Sequence, residues 1–369
     1  MTAQTLPKSD GVHRILEERI LSGIWPVGYG LPKETELAQE FDCGRHTIAQ
    51  AVSRLILDGL VERRKRAGTR VIGNVKLSER PPVELDAFAF IYPSDQHEGL
   101  WRTVHGFQSA ASEKRRPVVT LSAGINYEKE AEFVKRLSEF DVRGAVLHPV
   151  IRSTTDQAKF CQLLLSAKFP IVLAGASLPG VDCPVVITDG FDAGYTMTKY
   201  LLSQGLQRVG FFADHARTIT MRDRYQGYRW ALKEAGVEER SELLYLEASM
   251  QPNYQNPFDE PARLATKYLA QASGLEGVVC AHDFLAIGLI QAARDLGIRV
   301  PVDLKVVGID GHSIAGHENV SLTTYQVPAE LTGRKAFELL EDLVEGRHAS
   351  SREVQIKGEI VVRSSSRPS

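Results

Sequence analysis

A cluster of basic side chains in the N-terminal quarter of the chain has the composition of a surface that binds a polyanion. Five lysines and arginines fall within residues 63–70, in the stretch Arg-Arg-Lys-Arg-Ala-Gly-Thr-Arg. Guanidinium and ammonium groups at this density can hold phosphates through hydrogen bonds that charge strengthens. A basic run by itself is often only a solvated surface. Its meaning therefore depends on the segment that precedes it.

The preceding segment has the pattern of three short helices. Ser9-Asp10 can cap the first helix, and Pro32 can occupy the first turn of a second helix over 33–41. A third helix is predicted over 45–58, after the tight turn Asp42-Cys43-Gly44. The apolar residues with helical spacing are Val12, Leu16, Ile20, Leu37, Ala38, Ile48, Val52 and Leu55. Two short strands around the basic turn complete a compact unit.

Four motifs in this unit carry a family resemblance. They are Leu-Pro-x-Glu-x-Glu-Leu-Ala from Leu31, Arg-x-Thr from Arg45, Gly-Leu-Val from Gly59 and Gly-Thr-x-Val from Gly68. In this order over residues 10–73 they resemble the winged helix-turn-helix of the GntR family of bacterial transcription factors. The resemblance implies that the third helix enters the major groove of operator DNA and that the hairpin, or wing, contacts the backbone or minor groove.

The resemblance also implies a set of DNA contacts, with Arg45 as the strongest and Thr47 on a phosphate. The expected DNA-binding residues are Lys33, Thr35, Arg45, His46, Thr47, Gln50, Arg64, Lys65, Arg66 and Gly68. Thr35 and Ala49 stand where the family often carries arginine. We therefore expect weaker readout by the helix and a larger contribution from the wing.

The pattern changes after a polar segment that contains Pro81-Pro82. Nine apolar strands alternate with helices between residues 86 and 309, which predicts helix-covered parallel sheets. So many strands indicate two lobes. The predicted class is α/β, with a winged helix-turn-helix over 1–74, a linker over 75–85 and a two-lobed domain over 86–369.

The large domain resembles the effector-binding region of the LacI/GalR repressors, which share the periplasmic sugar-binding-protein fold. The order and spacing of the motifs hold over about 86–363. The motifs are Ile187-Thr-Asp-Gly-Phe-Asp-Ala-Gly194, Arg222-Asp-Arg-Tyr-Gln-Gly-Tyr228, Ala281-His-Asp283, Val306-Val-Gly-Ile-Asp-Gly311, Leu322-Thr-Thr-Tyr-Gln326 and Gly358-Glu-Ile-Val-Val-Arg363. The resemblance implies a homodimer and a small effector, a sugar or sugar derivative, held between the lobes.

In such a fold the loops after the strands meet at the cleft. The expected effector-binding residues are Tyr92, Ser94, His97, Trp101, His148, Arg152, Arg224, His282, Asp310 and Gln326. Arg224 and Asp310 are the firmest, because paired charged groups suit adjacent hydroxyls. Trp101 fits a core position as well, and Asp283 fits a helix cap. Asp189 and Asp192 are expected to be caps rather than ligand contacts.

Two departures leave the effector open. His282 stands where many relatives have asparagine, and Ala174 stands where some have aspartate. A neutral sugar and an anionic derivative are both compatible with this pattern. The histidines lack the helical or turn spacing of metal ligands, so we expect no metal and no cofactor.

Composition and motifs also limit the function and the cellular location that we expect for the protein. The formal net charge is −2, and residues 1–74 carry 11 lysines and arginines against 9 acidic residues. The four scattered cysteines, the lack of a signal-like apolar segment and the absence of spanning apolar runs favour a cytoplasmic protein. Neither the nucleotide-binding motif Gly-x-Gly-x-x-Gly nor the zinc-protease motif His-Glu-x-x-His occurs, so we expect no enzyme. The predicted function is repression of sugar-utilisation genes, relieved by sugar. A transport protein, or a constitutive DNA binder with a degenerate cleft, remains as an alternative.

Overall fold

The chain forms two compact units, Met1–Val83 and Glu84–Ser369. A computed structural model describes residues 8–64, 68–74, 86–93, 97–124, 126–140, 142–151, 154–178, 180–214, 216, 218–248, 257–316, 321–347 and 352–367. The predicted linker over 75–85 lies outside the described residues, so these domain bounds remain a prediction.

The described part of the small unit has helices and a hairpin in the predicted order. They are α1 (Lys8–Leu21), α2 (Glu34–Glu40), α3 (Arg45–Leu57), β1 (Val61–Arg64) and β2 (Gly68–Val71). The predicted apolar stripe of α1 is buried against Ile48, Val52 and Leu55 of α3. Helix α1 begins earlier than predicted, so Ser9-Asp10 lies inside its first turn. Pro32 precedes Lys33, the N-cap of α2, and is not in the helix.

The hairpin pairs antiparallel, with Val61 opposite Val71 and Arg64 opposite Gly68. Gly68 has a φ of 80°, which a residue with a side chain rarely adopts. Arg63 forms a salt bridge with Glu34 at the start of α2, and this contact joins β1 to the helices. Lys65, Arg66 and the side chain of Arg64 lie outside the described residues.

The large unit alternates strands and helices. Its elements begin with β3 (Phe88–Tyr92), α4 (Glu98–Glu113), β4 (Val118–Ser122), α5 (Tyr127–Glu139), β5 (Gly144–Leu147), α6 (Thr154–Ser166), β6 (Ile171–Ala174) and β7 (Val185–Thr188). They continue with α7 (Gly190–Leu202), β8 (Val209–Ala213), α8 (Ile219–Glu234), β9 (Leu244–Leu246), α9 (Asp259–Gln271), β10 (Gly277–Cys280), α10 (Asp283–Asp295), β11 (Lys305–Asp310) and β12 (Thr323–Gln326). They end with α11 (Ala329–Val344), β13 (Glu353–Ile356) and β14 (Glu359–Val361).

Two six-stranded sheets, in the order β13-β7-β6-β5-β3-β4 and β14-β12-β11-β10-β8-β9, form the predicted two lobes. We call them the first and the second lobe. The chain crosses between the sheets after β7, after β12 and after β13. Among the described strands of these two sheets every pairing is parallel except β12 with β14, which is antiparallel and lies at the sheet edge.

Helix α11 and strand β13 were not predicted. Ala336, Phe337 and Leu340 of α11 are buried in the core of the first lobe beside Phe88 and Phe90. Strand β13 pairs with β7 in that lobe although it follows the second lobe in sequence. Sequence order therefore does not reveal that the end of the chain returns to complete the first lobe.

The four cysteines are free thiols, and Cys280 is buried. Among the described helices none is both long and apolar enough to cross a membrane.

Candidate functional site

Polar side chains gather where the strands of the second lobe end. Asp214 follows β8 directly, His282 follows β10 after one residue, and Asp310 is the last residue of β11. Phe212 is in register with Cys280, and Asp310 with Gln326. The carboxyl ends of parallel strands share one edge of the sheet, so these side chains meet at one place, as ligand sites of open α/β sheets do.

A buried ion pair forms the centre of this group. The side chain of Arg224, on α8, donates from Nη2 to Oδ1 of Asp310 at 2.7 Å and from Nη1 to the carbonyl of Ala281. Burial opposes ionisation of Asp310, but the charges of Arg224, His312 and His282 and the Arg224 hydrogen bond together outweigh it and hold the pKa of this carboxyl below its usual value. The Nε of Arg224 has no hydrogen-bond partner among the described residues.

The backbone of Asp310 is strained. Its φ is 126°, a value that residues with a side chain rarely adopt. Strain of this kind costs stability and is concentrated at functional sites. The strained backbone is evidence for a functional role of Asp310, and it is separate from the evidence of the ion pair.

Close packing of α7 on α8 fixes the position of Arg224. A methyl group on Gly194 would lie 1.9 Å from the carbonyl oxygen of Arg224. A methyl group on Gly227 would lie 2.1 Å from the carbonyl oxygen of Phe191. Only glycine permits this approach, so two glycines set the distance between the helices and with it the place of the guanidinium.

His282 has two structural partners. Its Nε2 lies 2.9 Å from Oδ1 of the buried Asp214, and its Nδ1 accepts from the backbone N–H of Leu285 at 3.3 Å. Since Nδ1 is an acceptor, the proton is on Nε2 and points to Asp214. His282 is therefore the N-cap of α10 and a member of the site at the same time.

The prediction that Asp283 caps α10 is wrong. Its carboxylate accepts from the backbone N–H of His312 at 2.8 Å and from the hydroxyl of Thr324 at 2.6 Å. These contacts tie α10 to the ends of β11 and β12. His312 is buried, its Nδ1 lies 3.7 Å from the Asp283 carboxylate, and its Nε2 has no hydrogen-bond partner among the described residues.

Two histidines of the first lobe face the same region. Burial lowers the pKa of His97 to about 4, and His312 adds to this effect. Burial likewise lowers the pKa of His148 to about 4, with His97 contributing. Both rings are therefore neutral at physiological pH. A side chain at Gly175 would collide with His148, because a methyl group there would lie 2.2 Å from its Nε2.

An aromatic cluster joins the two lobes. The ring of Phe284 lies 4.9 Å from that of His312 and 6.3 Å from that of His97. The rings of His97 and His312 are 5.2 Å apart. Because His97 belongs to the first lobe and the other two to the second, the candidate site is a cleft between the lobes. We call it the cleft.

The other predicted effector residues lie outside the cluster formed by Arg224, Asp310 and the histidines, or outside the described residues. Tyr92 is half-buried at the end of β3, and Gln326 is half-buried at the end of β12. Trp101 is 47% exposed on α4, so it is not a core residue. Ser94 and Arg152 lie outside the described residues. The sequence analysis missed Asp214, Phe284 and His312, although each directly follows or neighbours a predicted strand end or motif.

Asp189 caps α7 as predicted, because its side chain accepts from the backbone N–H of Asp192 at 2.8 Å. The cap prediction for Asp192 is wrong. Its carboxylate accepts from the hydroxyl of Tyr325 at 2.6 Å and from Nζ of Lys357 at 2.9 Å. The chain crosses between the lobes just before α7, which carries Asp192, after β12, which carries Tyr325, and after β13, next to Lys357. Asp192 therefore links the three crossing segments to one another.

In the small unit, α3 presents a polar surface on the side away from its buried residues. Arg45, His46 and Gln50 are exposed, and Thr47 is half-buried. The side chains of His46 and Gln50 are linked at 3.2 Å. Lys33 and Thr35 are exposed at the start of α2. This surface offers donors and acceptors of the kind that read base edges in the major groove.

Comparisons with known proteins match both units. Residues 8–71 match the family described as bacterial regulatory proteins, gntR family, and residues 198–366 match the periplasmic binding protein-like domain. The two resemblances drawn from the sequence are confirmed by these matches.

The chain is 26% identical, over 373 residues that cover all of both proteins, to the arabinose metabolism transcriptional repressor of Geobacillus stearothermophilus. It is 25% identical to the HTH-type transcriptional repressor PurR of Vibrio vulnificus, over 70% of this chain and 75% of that protein. The structure of the transcriptional regulator CelR in complex with cellobiose has a TM-score of 0.67 and 22% identity, over 91% of this chain and all of that one. The last likeness shows the fold alone.

Proposed function

We propose that this chain, a transcriptional regulator that joins a gntR-family head to a periplasmic binding protein-like domain, binds operator DNA through α2, α3 and the wing. In this proposal a sugar or sugar derivative binds in the cleft and controls that affinity. Regulation of DNA binding places the protein in the cytoplasm.

The observation that carries the proposal is the buried pair of Arg224 and Asp310 together with unused nitrogens around it. Nε of Arg224, Nδ1 of His97, Nδ1 of His148 and Nε2 of His312 have no hydrogen-bond partner among the described residues. Buried polar groups are nearly always hydrogen-bonded. A ligand rich in hydroxyl groups would satisfy donors and acceptors of this kind in one place.

The names of the relatives support a sugar, because one of them is a repressor of arabinose metabolism. His97 and His148 are neutral and give no charge attraction to a carboxylate, so the first-lobe side of the cleft suits an uncharged sugar. An anionic or non-sugar effector is the second candidate, and Arg152 would be its natural partner. A constitutive regulator with an unused cleft is the third.

The DNA half of the proposal rests on the exposed face of α3. Arg45 begins the helix, where side chains reach base edges when a helix enters the major groove. Two heads in a homodimer would address a pseudo-palindromic operator. We propose that sugar binding changes the spacing between the two DNA-binding heads of the dimer and so releases the DNA.

The test of the effector half is a thermal-shift screen of the full chain with neutral sugars, including L-arabinose and cellobiose, and their sugar acids. The proposal predicts that a neutral sugar raises the melting temperature of the wild type and has no effect on Arg224→Ala or Asp310→Ala. A response to sugar acids alone, lost in Arg152→Ala, supports the anionic candidate. A panel without any response contradicts sugar control.

A further inference from the structure

One carboxylate of the first lobe is hydrogen-bonded directly to the second lobe. Glu98 is the first residue of α4, and Ser313 opens the 3-10 turn Ser313–Gly316 that follows β11. The two carboxylate oxygens of Glu98 accept from the backbone N–H of Ser313 at 3.0 and 2.8 Å, and one also accepts from its hydroxyl at 2.8 Å. We call this contact the clasp.

The clasp is adjacent to the cleft in sequence and in space. Glu98 follows His97, and Ser313 follows His312. These two histidines are 5.2 Å apart across the cleft, and the nitrogens they leave without hydrogen bonds are buried. A change in the clasp therefore displaces two side chains that face the cleft.

Salt bridges and helix packing hold Glu98 in the first lobe. Arg102 lies 3.8 Å from the Glu98 carboxylate and 3.6 Å from the carboxylate of Glu330 on α11. Helices α4 and α11 are packed so closely that a methyl group on Gly106 would lie 2.0 Å from the carbonyl of Glu330. A pair of helices in such contact moves as one body when the lobes open.

We propose that Glu98 is a positioning residue for the effector, which acts by clasping Ser313 and so holding His97 and His312 in place across the closed cleft. This inference rests on the proposed effector site. Glu98 does not touch the effector in this account. It changes the population of the closed form, which alone presents both histidines to the same ligand.

Charge-assisted hydrogen bonds from a carboxylate are among the stronger polar contacts in proteins. Loss of the clasp should therefore favour opening of the ligand-free chain and speed release of a bound sugar. Association should not slow, because the open cleft that admits the ligand is at least as populated without the clasp. A merely structural role would lower stability without this kinetic signature.

The first experiment needs no effector. Hydrogen exchange of the peptide that contains Ser313 is measured on the ligand-free full chain in wild type, Glu98→Ala and Glu330→Gln. Glu330 binds the same arginine but, among the described contacts, makes none to the second lobe, so it is the matched control. We expect faster exchange at Ser313 in Glu98→Ala, a smaller effect in Ser313→Ala, which keeps the backbone N–H, and no change in Glu330→Gln. Equal exchange in wild type and Glu98→Ala overturns the clasp.

The second experiment uses a sugar that stabilises the wild type in the thermal-shift panel. Stopped-flow measurements should show a dissociation rate about tenfold higher in Glu98→Ala, an association rate that is not lowered, and wild-type values in Glu330→Gln. An unchanged dissociation rate overturns the positioning role even if the sugar binds. Lack of any sugar binding to the wild type contradicts the proposed function, and the clasp is then decided by hydrogen exchange alone.

Discussion

Arg224 and Asp310 are 86 positions apart in the sequence, yet Nη2 of the arginine donates to the aspartate at 2.7 Å inside the second lobe. The guanidinium is almost completely buried, and the carboxylate lies at the strained end of β11. This pair connects α8 to the strand edge at which the other polar groups of the cleft converge.

Removal of the carboxylate should destabilise the effector domain. Asp310→Ala leaves the Arg224 charge buried without its partner, which should lower the free energy of unfolding by about 3 kcal/mol. Urea unfolding followed by tryptophan fluorescence measures the change. Asp303→Ala is the control, because Asp303 pairs with Arg299 at an exposed site and its loss should have little effect. Equal stabilities of Asp310→Ala and wild type would contradict this view of the pair.

The spacing of α7 and α8 should be as important for binding as the charge of Arg224. Gly194→Ala places a methyl group 1.9 Å from the Arg224 carbonyl, so the helices must separate. We expect a loss of about 1–3 kcal/mol of stability and loss of the sugar-induced thermal shift. Gly316→Ala is a suitable control in the same lobe, because the nearest atom would be 3.7 Å away. A normal thermal shift in Gly194→Ala would show that the packing does not position the arginine.

Glu130 predicts a dependence of stability on pH. Its side chain is 2% exposed, and burial raises its pKa from 4.5 to about 8. The folded state therefore holds the proton more tightly than the unfolded state. The contribution of this group is fully present below pH 4.5 and is lost as the pH rises through about 8.

Ionisation of the buried Glu130 destabilises the folded state as the pH rises, and Glu130→Gln removes this effect because glutamine does not ionise. The stability advantage of the variant should grow by about 1.4 kcal/mol per pH unit between these two values and then level off. Denaturant unfolding at several pH values measures it, with Glu132→Gln as the control, since the Glu132 side chain is 61% exposed. An advantage that does not vary with pH would exclude a buried, protonated Glu130.

The head should lose specificity when Arg45 is truncated. Arg45→Ala is expected to weaken operator binding by about 1–3 kcal/mol if the side chain contacts a base. Fluorescence anisotropy with operator and random duplexes at fixed salt measures the difference. Arg14→Ala, an equal change of charge on α1, should have a smaller effect on the operator. If Arg45→Ala weakens both duplexes equally, Arg45 contacts only phosphate.

Most of the fold was accessible from local patterns. Helical spacing identified α1, α2 and α3, and alternating apolar strands identified both lobes. Helix α11 and strand β13 were missed because their place in the first lobe depends on a return of the chain from the second lobe, which no local pattern records.

The site was only partly predictable for a related reason. Strand ends pointed to His282 and Asp310, and the family motif pointed to Arg224, whose contact with Asp310 follows from topology. Asp283 satisfies every sequence rule for a cap, but the neighbouring His282 takes that role and Asp283 binds His312. Which of two adjacent residues caps a helix depends on partners that are distant in sequence.

We propose that a ligand in the cleft controls operator binding by the head. The most direct test of this proposal is the affinity of the full chain for a duplex selected from random DNA, measured by anisotropy at fixed salt across the sugar panel. We predict that one sugar weakens operator binding of the wild type about 5–150-fold, the usual range of allosteric coupling. Arg224→Ala should bind the operator normally and ignore the sugar. Operator affinity that stays constant across the panel, or an equal response in Arg224→Ala, would contradict the account.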